Sequence, residues 1–94
     1  MKAKLLLKER HQIHDHAFAE LRVWQVSQPI LGSRHNYKYA LIYVVSGVCV
    51  IGYDNESGKG DHIHLNNREI PYRFTTPRQL LADFWQDIDQ WRPE

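Results

Sequence analysis

The sequence predicts an α+β domain: an antiparallel meander of about five strands with one C-terminal helix packed on one face. Three observations predict it. β-branched and aromatic runs, several alternating with a period of two, occupy much of the chain before residue 75. Turn residues separate them at 27–36, at Ser46-Gly47 and at Asn66-Asn67. From residue 80 the apolar period becomes helical, with Leu80/Leu81, Phe84/Trp85, Ile88 and Trp91.

Taken in order, residues 3–8 alternate Ala3/Leu5/Leu7 against Lys4 and Lys8, which suits a half-buried strand, with Leu6 the misfit. Residues 9–17 are polar and hold His11, His14 and His16, so a solvated hairpin loop is expected there. No neighbouring Cys or acid pair completes a set of four metal ligands. A second strand follows at 19–26. Pro29, Gly32, Ser33 and Asn36 mark the next connection as surface loop, with Arg34, His35 and Lys38 a scattered basic group beside it.

Residues 39–45 and 48–53 are β-branched and aromatic, joined by a two-residue turn, and carry apolar side chains on both faces. They are the expected central strands. The helix should cover one face, which leaves the other, expected to include Tyr39, Ile42 and Val44, as a candidate surface for a partner or a second copy of the chain. Residues 61–65 return to an extended run, and Pro71 places 70–74 at an edge. Thr76 as N-cap, Pro77 at the first helical position and Gln79 at the third form a capping-box start, and Pro93 closes the helix.

Bulk properties narrow the classes. At 94 residues, with 43% hydrophobic and 24% charged residues, the chain reads as a single globular domain over 1–94. The net charge is +1, but residues 1–75 carry ten Lys/Arg against seven Asp/Glu, and residues 76–94 two against four. A basic body with an acidic tail is weak support for a phosphate-facing surface. Cys49, the single cysteine, excludes a disulfide framework and is expected to be a buried, inert thiol. The leucine run near the start is too short for a signal sequence and no stretch reaches membrane-spanning length, so a cytoplasmic location is expected.

The densest chemistry lies in residues 53–64, which hold Asp54, Glu56, Lys59, Asp61, His62 and His64 with Gly58 and Gly60. So many titratable groups exclude a core segment. The pattern lacks the spacing and the Ser/Thr of a nucleotide-binding P-loop. On an extended strand His62 and His64 project to one face about 6.5–7 Å apart. Metal-free RNA cleavage needs a base, an acid and a cation, and His62, His64 and Lys59 match those roles in kind. Asp61 or Asp54 could orient a histidine, Arg68 and Arg73 could hold flanking phosphates, and Tyr53 and Tyr72 are further substrate-binding candidates. The alternative is a divalent metal held by His62, His64 and Asp61 that activates phosphodiester hydrolysis. A solvated hairpin tip with no catalysis is the bland alternative to both, and a non-enzymatic binding module that blocks a cellular target through its sheet face at Tyr39, Ile42 or Val44 is the alternative of a different class.

The pattern YDN-x-x-GKGDH-x-H, formed by Tyr53, Asp54, Asn55, Gly58, Lys59, Gly60, Asp61, His62 and His64, continues through Glu69, Tyr72 and Phe74 to Leu80, Leu81, Asp83 and Phe84. It resembles the TumE family of small toxins from prokaryotic type II toxin–antitoxin systems. Arg22-Val23-Trp24 and residues 37–43 are also similar, so the resemblance spans about 19–92. It implies a toxin silenced by a helix-turn-helix antitoxin. Action on RNA follows only by analogy with other small toxins.

Overall fold

The computed structural model describes residues 3–93. Its elements are β1 (Ala3–His14), β2 (Ala17–Val26), β3 (Tyr37–Val45), β4 (Val48–Asp54), β5 (His62–Leu65), β6 (Arg68–Pro71) and α1 (Pro77–Gln90). The strands form one sheet in sequential order, every neighbour antiparallel. This is the predicted meander with its C-terminal helix, built with six strands where the sequence suggested about five.

Alternation decides which side of the sheet each residue faces. Ala17, Ala19, Leu21 and Val23 of β2 pair with Val45, Tyr43, Leu41 and Tyr39 of β3, and Tyr43 and Leu41 pair with Ile51 and Tyr53 of β4. This face packs under Leu80, Phe84 and Ile88 of α1 as the core. Phe84 meets Tyr53 edge to face at 5.7 Å, an arrangement that matches the ring quadrupoles. Hydroxyls reinforce the seam: Tyr53 donates to Asp87, and Tyr72 donates to Asp83 at 2.6 Å.

The helix begins where its signals placed it. Thr76 Oγ1 accepts from the Gln79 backbone N–H at 3.1 Å. The reciprocal half of the capping box is replaced, because the Gln79 side chain reaches forward to Asp83 instead. At the β3–β4 hairpin, Ser46 and Gly47 both take positive φ, 50° and 79°, which matches the twist of the flanking strands.

Several sequence expectations are corrected. The polar run 9–17 is mostly strand: β1 continues to His14, leaving Asp15-His16 as the turn. An edge strand exposed for nearly its whole length tolerates polar residues, and cross-strand contacts support it, with Arg10 bonded to Glu20 and stacked over Phe18. The last strand is Arg68–Pro71 rather than 70–74, because Asn66 turns the chain in a left-handed conformation and pairing resumes at once. Cys49 is exposed, since a register irregularity after Tyr43 sets it opposite Val44 near the end of the hairpin. Tyr39 is buried under the helix side, so only Ile42 and Val44 of the three expected residues reach the open face.

Candidate functional site

β4 ends at Asp54 and β5 starts at His62, and these two residues are directly paired. His64 pairs with Gly52 one step along, so no intervening side chain separates its ring from that of His62. The Asp54, His62 and His64 side chains all lie on the sheet face away from α1. His62 Nε2 is 2.9 Å from Asp54 Oδ1 and 3.1 Å from His64 Nε2. One ligand-capable atom from each of the three lies within 4.8 Å of the others.

The far side of the His62 ring is also held. Its Nδ1 lies 3.0 Å from the Gly60 carbonyl, an acceptor only, so this nitrogen carries the proton. In the neutral ring the Nε2 lone pair then points at a carboxylate and at a second imidazole nitrogen. Convergence of electron-pair donors, with the outer nitrogen fixed by a backbone carbonyl, is how a metal-binding histidine is oriented. Two histidines and one carboxylate suit a transition-metal or zinc site that leaves positions open for substrate. His62 is 3% exposed, and Asp54 and His64 form the accessible rim.

Asp61 belongs elsewhere. Its alternation with Ile63 and Leu65 turns it to the helix side, where it accepts from Ser33 Oγ at 2.6 Å, His35 Nε2 at 2.7 Å and Tyr39 hydroxyl at 2.6 Å. The metal-ligand set drawn from the sequence, His62, His64 and Asp61, therefore becomes Asp54, His62 and His64. Burial, and then the bond to Asp61, pushes the Tyr39 phenol far above its ordinary pKa.

Of the other candidates, Lys59, Tyr72 and Arg73 border one groove with Asp61, apart from the Asp54–His62–His64 cluster, and Arg68 lies elsewhere. Lys59 is exposed, 3.9 Å from Glu56. It lines a groove of about 440 Å³ with Arg34, His35, Arg73 and Phe74, in which His35 stacks on Phe74 at 3.7 Å. Tyr72 borders that groove, but its hydroxyl is tied to α1, as is that of Tyr53. Arg68 sits at the β5–β6 turn opposite Leu65.

Sequence reasoning missed the supports. Buried Asn55 accepts from the Tyr39 N–H at 3.0 Å and donates to the Tyr37 carbonyl at 2.7 Å, clipping the loop to β3. Gly32 and Gly60 meet backbone to backbone: a Cβ on Gly32, at φ +98°, would lie 2.7 Å from the Gly60 nitrogen. This contact sets the Gly60 carbonyl that holds His62. The available signal was strand alternation, which already separates Asp61 from the two histidines.

No curated protein and no solved structure matches the chain significantly. The family model described as Toxin TumE matches residues 2–92, which include the whole Asp54–His64 loop and the strands and helix that position it, and the chain belongs to that toxin family.

Proposed function

We propose that this toxin cleaves RNA by divalent-metal-assisted phosphodiester hydrolysis at Asp54, His62 and His64. The observation that carries the reading is the convergence of the three ligand atoms within 4.8 Å on an open sheet face. Asp54, His62 and His64 would hold a divalent cation there, and the cation would supply Lewis-acid charge against the phosphoryl oxygens. The Gly60 carbonyl fixes the His62 tautomer, buried His62 anchors the set, and Asp54 and His64 present it to substrate. The metal-free alternative, in which His62 and His64 flank the scissile phosphate as acid and base, is less favoured. Two imidazoles in hydrogen-bond contact at 3.1 Å must first separate to admit a phosphodiester between them. A toxin of this kind requires a silencing partner, and the resemblance supports a helix-turn-helix antitoxin.

The test combines metal analysis with RNA cleavage. Purified protein is expected to hold about one divalent ion per chain, to lose cleavage in EDTA and to regain it on adding metal back. Asp54→Asn and His64→Ala should lose both metal and cleavage. Undiminished cleavage by metal-free protein overturns the metal, and toxicity without RNA fragmentation overturns the RNA.

A further inference from the structure

The sheet face that carries the triad has a second property. Cross-strand pairing arranges its side chains in rows perpendicular to the strands. One row runs Lys8, Arg22, Ala40, Asp54, His62, and the next runs Arg10, Glu20, Ile42, Gly52, His64. On the other side of the first row Trp24 stands opposite Lys38. At about 4.8 Å per strand, Arg22 lies roughly 10 Å and Lys8 roughly 14 Å from Asp54 along one line.

From this register we infer that the open sheet face is a single-stranded RNA track leading into the Asp54–His62–His64 site, with Lys8, Arg22 and Lys38 as phosphate-binding cations and Trp24 as a base-stacking residue. The inference deepens the proposed function and rests on it for the identity of the chemistry at the end of the track.

Charge complementarity selects this occupant. The open face of the first three strands presents Lys8, Arg10, Arg22 and Lys38 against Glu20, which pairs with Arg10 at 2.8 Å and approaches Arg22 at 3.8 Å. On the opposite side α1 presents Asp83, Asp87 and Asp89 against Arg78, a less cationic surface than the open face, and the cations Arg34, Lys59 and Arg73 border the separate groove at the Gly32 and Gly60 loops. Between the cations and the triad stands Ala40, the small residue of the first row, so a strand can lie low against the sheet there, while Gly52 in the next row is covered by His64 and Cys49. Beside Ala40 a groove of about 340 Å³ runs from Lys38 to Asp54, lined also by Ile30, Glu56 and Ser57. Lys38 Nζ lies 5.7 Å from the centre of the half-buried Trp24 ring, loose enough for a base to take its place. Aromatic rings among cations on an open sheet are the features that let proteins bind unpaired bases without reading their sequence.

The test measures binding apart from cleavage. His64→Ala protein, unable to cleave, is titrated against a fluorescently labelled oligouridylate of about twelve nucleotides, and against the same length as duplex RNA. Single strands should bind more tightly than duplex. In that background the combined Lys8→Gln/Arg22→Gln/Lys38→Gln change should weaken binding more than about tenfold. It should also flatten the salt dependence by roughly 0.7 in log–log slope for each phosphate that is no longer neutralised. Trp24→Ala should weaken binding about tenfold with the slope unchanged. Arg78→Gln on α1, exposed and on the opposite side, should change neither. Binding unaffected by the triple change overturns the track, as does a preference for duplex. So does a result in which these variants abolish binding of the antitoxin while none of the proteins binds RNA, because the face is then a protein interface. If the triple variant loses RNA binding but wild-type protein never cleaves, the track stands and the proposed chemistry fails. If wild type cleaves and the triple variant cleaves equally well, the chemistry stands and the track fails.

Discussion

Asp54 and Asp61 bracket one loop, and the two carboxylates have different surroundings because they face opposite sides of the sheet. Asp61 turns toward α1 and is saturated by Ser33, His35 and Tyr39, so it closes the loops onto the core. Asp54 turns to the open side, lies 2.9 Å from His62 Nε2 with a His64 nitrogen within 4.8 Å, and stays half-buried. A carboxylate whose lone pairs are occupied by neutral donors supports structure. One that shares its space with histidine nitrogens is what the proposed metal site requires. Among the described residues the tyrosine–aspartate bonds all lie on the helix side, where His35 joins them at Asp61, whereas the Asp54–His62 contact lies on the open side.

The largest expected effect tests that contrast directly. Asp54→Asn should lower RNA cleavage by more than about 100-fold, beyond what loss of an outer-shell support costs a metal site. Its melting temperature should stay within about 4 °C of wild type. Asp61→Ala should do the reverse, costing about 3 kcal/mol of stability in denaturant unfolding because three donors lose a charged acceptor. The fraction still folded should cleave normally. If Asp61→Ala abolishes cleavage while unfolding at the wild-type denaturant midpoint, the two roles have been assigned the wrong way round.

A smaller effect sharpens the boundary between the regions. Gly32→Ala puts a methyl group against the Gly60 backbone at a position with φ +98°, and should destabilise by about 2 kcal/mol. Because the approach of the two glycines also sets the Gly60 carbonyl bonded to His62, metal affinity should fall about tenfold in the same variant. A drop in stability with metal affinity unchanged would separate the loop clamp from the site.

How much of this was legible in the chain follows from the range of each interaction. The meander, the Ser46-Gly47 turn and the Thr76 start of α1 are local patterns, and each lies where its residues indicate. His62 and His64 share a face because strand alternation is also local. Their ring contact, the pairing with Asp54 and the separation of Lys59 from them depend on the register between β4 and β5 and on how the loop folds, which twelve consecutive residues do not encode in their order alone. The length of β1 was hidden for another reason. Its polar half is strand only because β2 offers Ala19, Leu21 and Phe18 to pair with, and an exposed edge needs no apolar alternation to remain extended.

The smallest effect belongs to the helix side alone. Burial, and then the bonds to Asp61 and Asp87, raises the Tyr39 and Tyr53 phenols well above the ordinary value near 10. An unfolded chain ionises these groups from about pH 10 upward while the folded protein keeps them protonated. Unfolding then releases protons, so the stability they contribute is complete below about pH 10 and declines as pH rises, by up to about 1.4 kcal/mol per pH unit for each phenol. Tyr53→Phe should cost about 1 kcal/mol at neutral pH because the bond to Asp87 is gone. It should also make the alkaline decline in denaturant midpoint shallower by one proton. Metal binding should not change, because the Tyr53 hydroxyl and the triad lie on opposite faces. A Tyr53→Phe protein with the wild-type alkaline slope would mean that this phenol ionises as readily in the folded protein as in the unfolded chain, and that the helix side is not the closed seam its hydrogen bonds describe.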